Sequence, residues 1–200
     1  MEGFSPSKEA ILHYLEKRKD TSYSKVDIAL NHLFSQRNEN YLNESDIILK
    51  CAVLNAYYGT RIMNIYAVAE YYFKIIQENH LAEQISKGSL DVVEKLRKVT
   101  LGNDGKEMDF YSFATKFCSF SNPDAYPIYD KFVDMMLWEL QNRDHFSSFN
   151  RKELRYYPTF VRVINDLKRF YKLDQATYRQ IDNMLWLAGK ETFKYLEDIK

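Results

Sequence analysis

Apolar residues in this chain recur mainly three and four positions apart, the spacing of one face of an α-helix. Ser5-Pro6 reads as a cap with proline at the first helical position, opening a helix that carries Ile11, Tyr14 and Leu15. Ser24 and Asp27 are expected to open a second, with Val26, Leu30, Leu33 and Phe34 as its stripe. Ser45-Asp46 opens a third, nearly continuously apolar from Ile47 to Ala56; such a helix is expected at the centre of a fold, stopping near Gly59. Ile62, Ile65, Tyr66, Ala69, Phe73 and Ile76 mark the clearest amphipathic helix. Leu90, Val93, Leu96 and Val99 follow as a short helix after Gly88-Ser89. The cluster from Leu101 to Lys106 predicts a flexible surface turn.

Further helices are expected from about Asp109 to Phe120, from Asp130 as N-cap through Leu140, across Pro158 to Tyr171, and from Asp174 to Gly189. Pro127 keeps residues 125–129 extended, residues 142–150 form a polar loop, and Asn150 with Glu153 has capping-box spacing. The fold class is therefore all-α, a compact bundle of about eight to ten helices. Six glycines and four prolines leave few turns for a β-rich alternative. No repeat or low-complexity linker divides residues 1–200. They read as one α-helical domain, or two lobes with a cleft near residues 57–60 and 116–131.

Charge and composition narrow the function only a little. Twenty-eight basic residues balance 28 acidic ones, so a nucleic-acid partner would need a local basic face. The cationic stretch is Arg151, Lys152, Arg155, Arg162, Lys168, Arg169 and Lys172. Cys51 and Cys118 lie in apolar helical stretches and read as small buried residues of a reducing compartment. No basic start followed by an apolar run marks a secretory signal. Charged residues interrupt every apolar run before it could span a bilayer, so a cytoplasmic location without membrane attachment is expected. The four histidines, His13, His32, His80 and His145, are scattered, so no metal site is expected. There is no glycine-rich phosphate loop, nucleophile elbow or kinase signature, and no cofactor is expected.

Two stretches carry a family resemblance. Ile48 to Thr60 resembles the apolar helix and DNA-facing turn of helix-hairpin-helix DNA glycosylases, and Tyr126 to Val133 resembles their apolar-Asp pair at a helix start. The segment from Phe113 to Asp130, with Lys116 ahead of Asn122-Pro123, is most similar to the 8-oxoguanine DNA glycosylase-like branch. Ile181 to Lys190 resembles a closing segment of that branch. The glycine-bearing turn that precedes the catalytic lysine in the family is absent; Asp109 to Lys116 occupies its place without glycine. The cluster-binding cysteines of some members are absent as well.

The resemblance implies action on damaged or modified bases in double-stranded DNA. Lys116 would be an amine nucleophile forming a Schiff base, and Asp130 would be a carboxylate stabilising an oxocarbenium-like centre. Tyr57 and Tyr58 would fill the gap left by an extruded base, and Arg61, Arg151, Lys152 and Arg155 would contact DNA. Each residue also has an ordinary reading. Asp130 is a helix cap worth about 1 kcal/mol, Lys116 a solvated lysine on an amphipathic helix, the tyrosines packing at a helix end, and the basic stretch a solvated face. The competing function is a non-catalytic helical module whose tyrosine-rich surface binds a protein partner.

Overall fold

A computed structural model describes residues 4–19, 21–35, 43–101 and 105–194. Among these residues the chain forms ten α-helices, one short 3-10 helix and one two-stranded sheet. The all-α class expected from spacing is thus the architecture observed, with a β-hairpin added. The chain divides into two compact units, Asp20–Tyr126 and a second made of Met1–Lys19 with Pro127–Lys200.

Within Asp20–Tyr126 the order is α2 (Ser22–Ser35), α3 (Glu44–Tyr58), α4 (Ile65–Glu78), α5 (Leu81–Ser86), α6 (Asp91–Arg97), β1 (Lys98–Leu101), β2 (Lys106–Asp109) and α7 (Tyr111–Ser121). The helix α3 was expected to be central, but it buries a single stripe of Ile47, Lys50, Cys51 and Leu54, and Leu49 is half exposed. The centre is α7. Nine of its eleven residues are buried, because α2, α3, α5 and α6 all pack against it. Phe117 lies 5.6 Å from Phe34 and 5.1 Å from Tyr72, edge to face in both pairs.

Other expectations are corrected here. The start of α2 is at Ser22, where the Ser24 amide donates to the Thr21 hydroxyl at 3.4 Å; Asp27 is a turn inside the helix, not at its mouth. Asn43 caps α3, and Gly59 ends it in the left-handed conformation. The inward stripe of α4 is Val68, Ala69, Tyr72 and Ile76, so Tyr66 turns outward and Phe73 only half inward. Val99 lies in a strand rather than a helix. Antiparallel pairing runs from Lys98 opposite Asp109 to Leu101 opposite Lys106. The expected loop at Gly102, Asn103 and Asp104 lies outside the described residues. Arg97 fastens this hairpin to α6, donating to both Asp109 oxygens at 2.8 and 2.6 Å with its guanidinium 4.1 Å from the Tyr111 ring.

The second unit holds α1 (Lys8–Arg18), α8 (Lys131–Asp144), the 3-10 helix Arg151–Arg155, α9 (Tyr157–Phe170) and α10 (Tyr178–Thr192). Ser7 rather than Ser5 caps α1, and Thr177 with Gln180 forms the capping box of α10 in place of Asp174. The capping box of Asn150 with Glu153 forms as expected, although it opens a 3-10 turn. Gly189 neither ends nor interrupts α10. It lets α8 approach, and a Cβ there would stand 2.9 Å from Phe132 Cβ and 3.0 Å from Phe132 O. Tyr14 donates to Glu191 at 3.1 Å, tying α1 to α10.

Candidate functional site around Lys116

Lys116 sits midway along α7, the most enclosed helix of its unit, and is only 3% exposed. The expected solvated lysine is therefore corrected: α7 is not amphipathic, so no face is left to water. Its Nζ donates to the Ser112 hydroxyl one turn earlier at 2.5 Å and approaches the Ser112 carbonyl oxygen at 3.5 Å. The same Nζ lies 5.2 Å from the centre of the Tyr58 ring, a cation–π distance. Lys116 and Tyr58 are thus brought together.

Tyr58 is the last residue of α3, half-buried, with its ring 6.0 Å from Phe120. Its hydroxyl donates to Asp27 Oδ1 at 3.3 Å. Asp27 shares the inward stripe of α2 with Leu30 and Phe34 and is 8% exposed. A second lysine, Lys50, lies deeper in α3 at 1% exposure, with Nζ 5.2 Å from the Phe34 ring. Burial pulls the Lys50 ammonium below the ordinary lysine range, partly countered by Asp46. Ser112, Asp27 and Lys50 were not singled out as site residues. Asp27 was hidden by resembling a cap, although its three- and seven-residue spacing to Leu30 and Phe34 placed it on the core face.

The remaining candidates of this unit lie toward the surface. Tyr57 is 54% exposed and Arg61 is exposed, adopting a left-handed φ of 57° in the α3–α4 turn. Asn55 holds that turn: its Oδ1 accepts from Thr60 Oγ1 at 2.6 Å and from the Ile62 amide at 3.1 Å, while its Nδ2 donates to Ile62 O at 3.0 Å. Cys51 and Cys118 are free and buried, and burial pushes both thiols far above the ordinary cysteine range.

Asp130 and the candidates Arg151, Lys152 and Arg155 belong to the other unit. Asp130 caps α8, accepting from the Phe132 amide at 2.9 Å, after an extended run in which Pro127 O accepts from the Tyr157 hydroxyl at 2.9 Å. Arg151 is engaged by Asp134 at 2.8 Å. Arg155 lies with its guanidinium 5.8 Å from the Tyr129 ring, and Lys152 is exposed. Asp130, Tyr129, Asp134, Arg151 and Arg155 therefore form one polar neighbourhood around the mouth of α8 and the 3-10 helix.

Residues 9–125 match the HI_0787_N family, described as an N-terminal domain. The chain belongs to that family. The match takes in residues 9–19 of the second unit and nearly all of Asp20–Tyr126, so Lys116, Tyr58, Asp27 and Lys50 fall inside the HI_0787_N domain, and Asp130, Arg151, Lys152 and Arg155 outside it. An uncharacterized protein of Haemophilus influenzae is 41% identical over 139 residues, covering 70% of this chain and 64% of the relative. The chain thus spans less than two thirds of that relative's length. No solved structure matches the chain. No group of His, Cys, Asp or Glu suited to a metal occurs among the described residues, and none of their helices is long and apolar enough to cross a membrane.

Proposed function

We propose that this HI_0787_N protein is DNA glycosylase-like and acts on damaged or modified bases through the amine of Lys116. One observation carries the reading: a lysine enclosed in the central helix of the family domain, held by Ser112 and lying over the Tyr58 ring. An amine out of water is the group that Schiff-base chemistry needs, and a ring face favours the cationic iminium that follows. After base loss the sugar presents an aldehyde at C1′. Lys116 first gives up a proton to water that enters with the sugar, and its lone pair then forms the N–C1′ bond as the C1′–O π pair moves onto oxygen, which takes a proton from the nitrogen. The carbinolamine takes up one proton and expels water to leave the iminium. An enclosed amine suits a substrate extruded from the duplex rather than one read in place.

Phosphate contacts are assigned to Lys152, Arg155 and Arg61, with Arg151 held partly by Asp134. The test is borohydride trapping on duplexes carrying 8-oxoguanine, uracil or an abasic site. Wild type should give a covalent adduct that Lys116→Ala loses. Absence of an adduct on all three duplexes overturns the reading.

A second reading rests on a different observation. Leu49, Tyr57, Met63 and Tyr66 are all at least 49% exposed on α3, α4 and the turn between them, with Met63 at 97%. Such surface suits a protein partner in a non-catalytic helical module. A gel shift across salt concentration separates the two, since phosphate contacts impose a steep salt dependence.

A further inference from the structure

A carboxylate on the inward face of a helix is costly unless it is bonded, and an apolar residue at Asp27 would continue the stripe of Leu30 and Phe34. The charge stands instead where it accepts from the Tyr58 hydroxyl at 3.3 Å, and the face of that same ring lies 5.2 Å from Lys116 Nζ. One phenol thus touches a buried acid with its hydroxyl and a buried amine with its ring. Both ends of Tyr58 are fixed by this arrangement. Phe120 packs edge-on against the ring at 6.0 Å.

Resting on the amine chemistry proposed above, we propose that Asp27, acting through the Tyr58 hydroxyl, is a positioning residue of the Lys116 site. Its negative charge favours the protonated amine and the iminium alike, while the hydrogen bond holds the ring beneath Nζ. The other titratable groups turned inward on the described helices of the unit Asp20–Tyr126 are Lys50, Cys51, Tyr72, Arg97, Tyr111 and Cys118.

The test uses the full chain, a duplex with an abasic site and cyanoborohydride, with adduct yield followed from pH 5 to 10. Asp27→Asn keeps an oxygen for the Tyr58 hydroxyl but loses the charge. Its profile should shift to lower pH by roughly one unit, with a lower plateau. Tyr58→Phe keeps the ring and the charge, and its yield should drop roughly threefold or more with little change of midpoint. An Asp27→Asn profile superimposed on wild type overturns the inference while leaving the Lys116 reading intact. If Asp27→Asn does not fold, undiminished yield in Tyr58→Phe overturns it equally. No Lys116-dependent adduct in wild type removes the reading itself, and Asp27's role with it.

Discussion

The mouth of α8 and the buried lysines of the unit Asp20–Tyr126 hold charge in different ways. In the unit made of residues 1–19 and 127–200, Asp134 is 7% exposed and meets a guanidinium: Arg151 donates to it at 2.8 Å and keeps its own outer edge in water. In the unit Asp20–Tyr126 the buried Arg97 is likewise paired, with Asp109, but the buried lysines Lys50 and Lys116 each lie 5.2 Å from the centre of an aromatic ring. A well-placed arginine gives a carboxylate a local, structural solution. A lysine enclosed among rings is costlier to keep charged, and enclosed amines are where reactive chemistry is commonly found. The mouth of α8 is held by a cap and an ion pair, whereas α7 encloses an amine.

The largest effect that would break this contrast is loss of the domain centre. Phe117→Ala removes the ring that joins Phe34 and Tyr72, and should cost about 3–5 kcal/mol in urea unfolding. A cost below about 1 kcal/mol would mean that α7 is not the core. Next comes the packing of the other unit. Gly189→Ala should cost about 1–3 kcal/mol, because Phe132 leaves no room for a methyl group.

Lys50 sharpens the comparison through pH. Its folded-state pKa lies below the ordinary value of 10.5, so the unfolded chain binds more protons between the two. Stability should therefore rise with pH through that window, and the penalty should be fully present below the folded pKa. Lys50→Met should abolish this slope and stabilise the protein at pH 7, read as the difference between variant and wild type. The raised thiols Cys51 and Cys118 act in the opposite direction above about pH 9 and tyrosines such as Tyr14, at about 12, above pH 10, so the variant is compared with wild type at each pH. The smallest effect is at the mouth of α8. Asp130→Ala should cost about 1 kcal/mol and Asp130→Asn only a few tenths, as expected of a cap.

Caps and stops were legible because they are local. Gly59, Asp130 and the pair Asn150–Glu153 do what their spacing implied. Centrality was not legible, because it depends on what packs around a helix. Composition favoured α3, yet Ser112, Thr115, Lys116 and Ser119 made α7 look half polar, although Thr115, Lys116 and Ser119 are buried by four neighbouring helices. The hairpin was missed because Val99 and Leu101 give only two turns of a period-two pattern, too short to outweigh the helical spacing before them. Lys116 is a candidate through the resemblance alone. Asp27 was lost to a capping reading that its own burial now replaces.

The most direct measurement is peptide mapping of the borohydride-trapped adduct by mass spectrometry, using the full chain and an abasic-site duplex. The mass of the reduced sugar fragment should fall on the α7 peptide at Lys116. An adduct confined to exposed lysines such as Lys152, or no adduct at all, would contradict a reactive amine in the family domain.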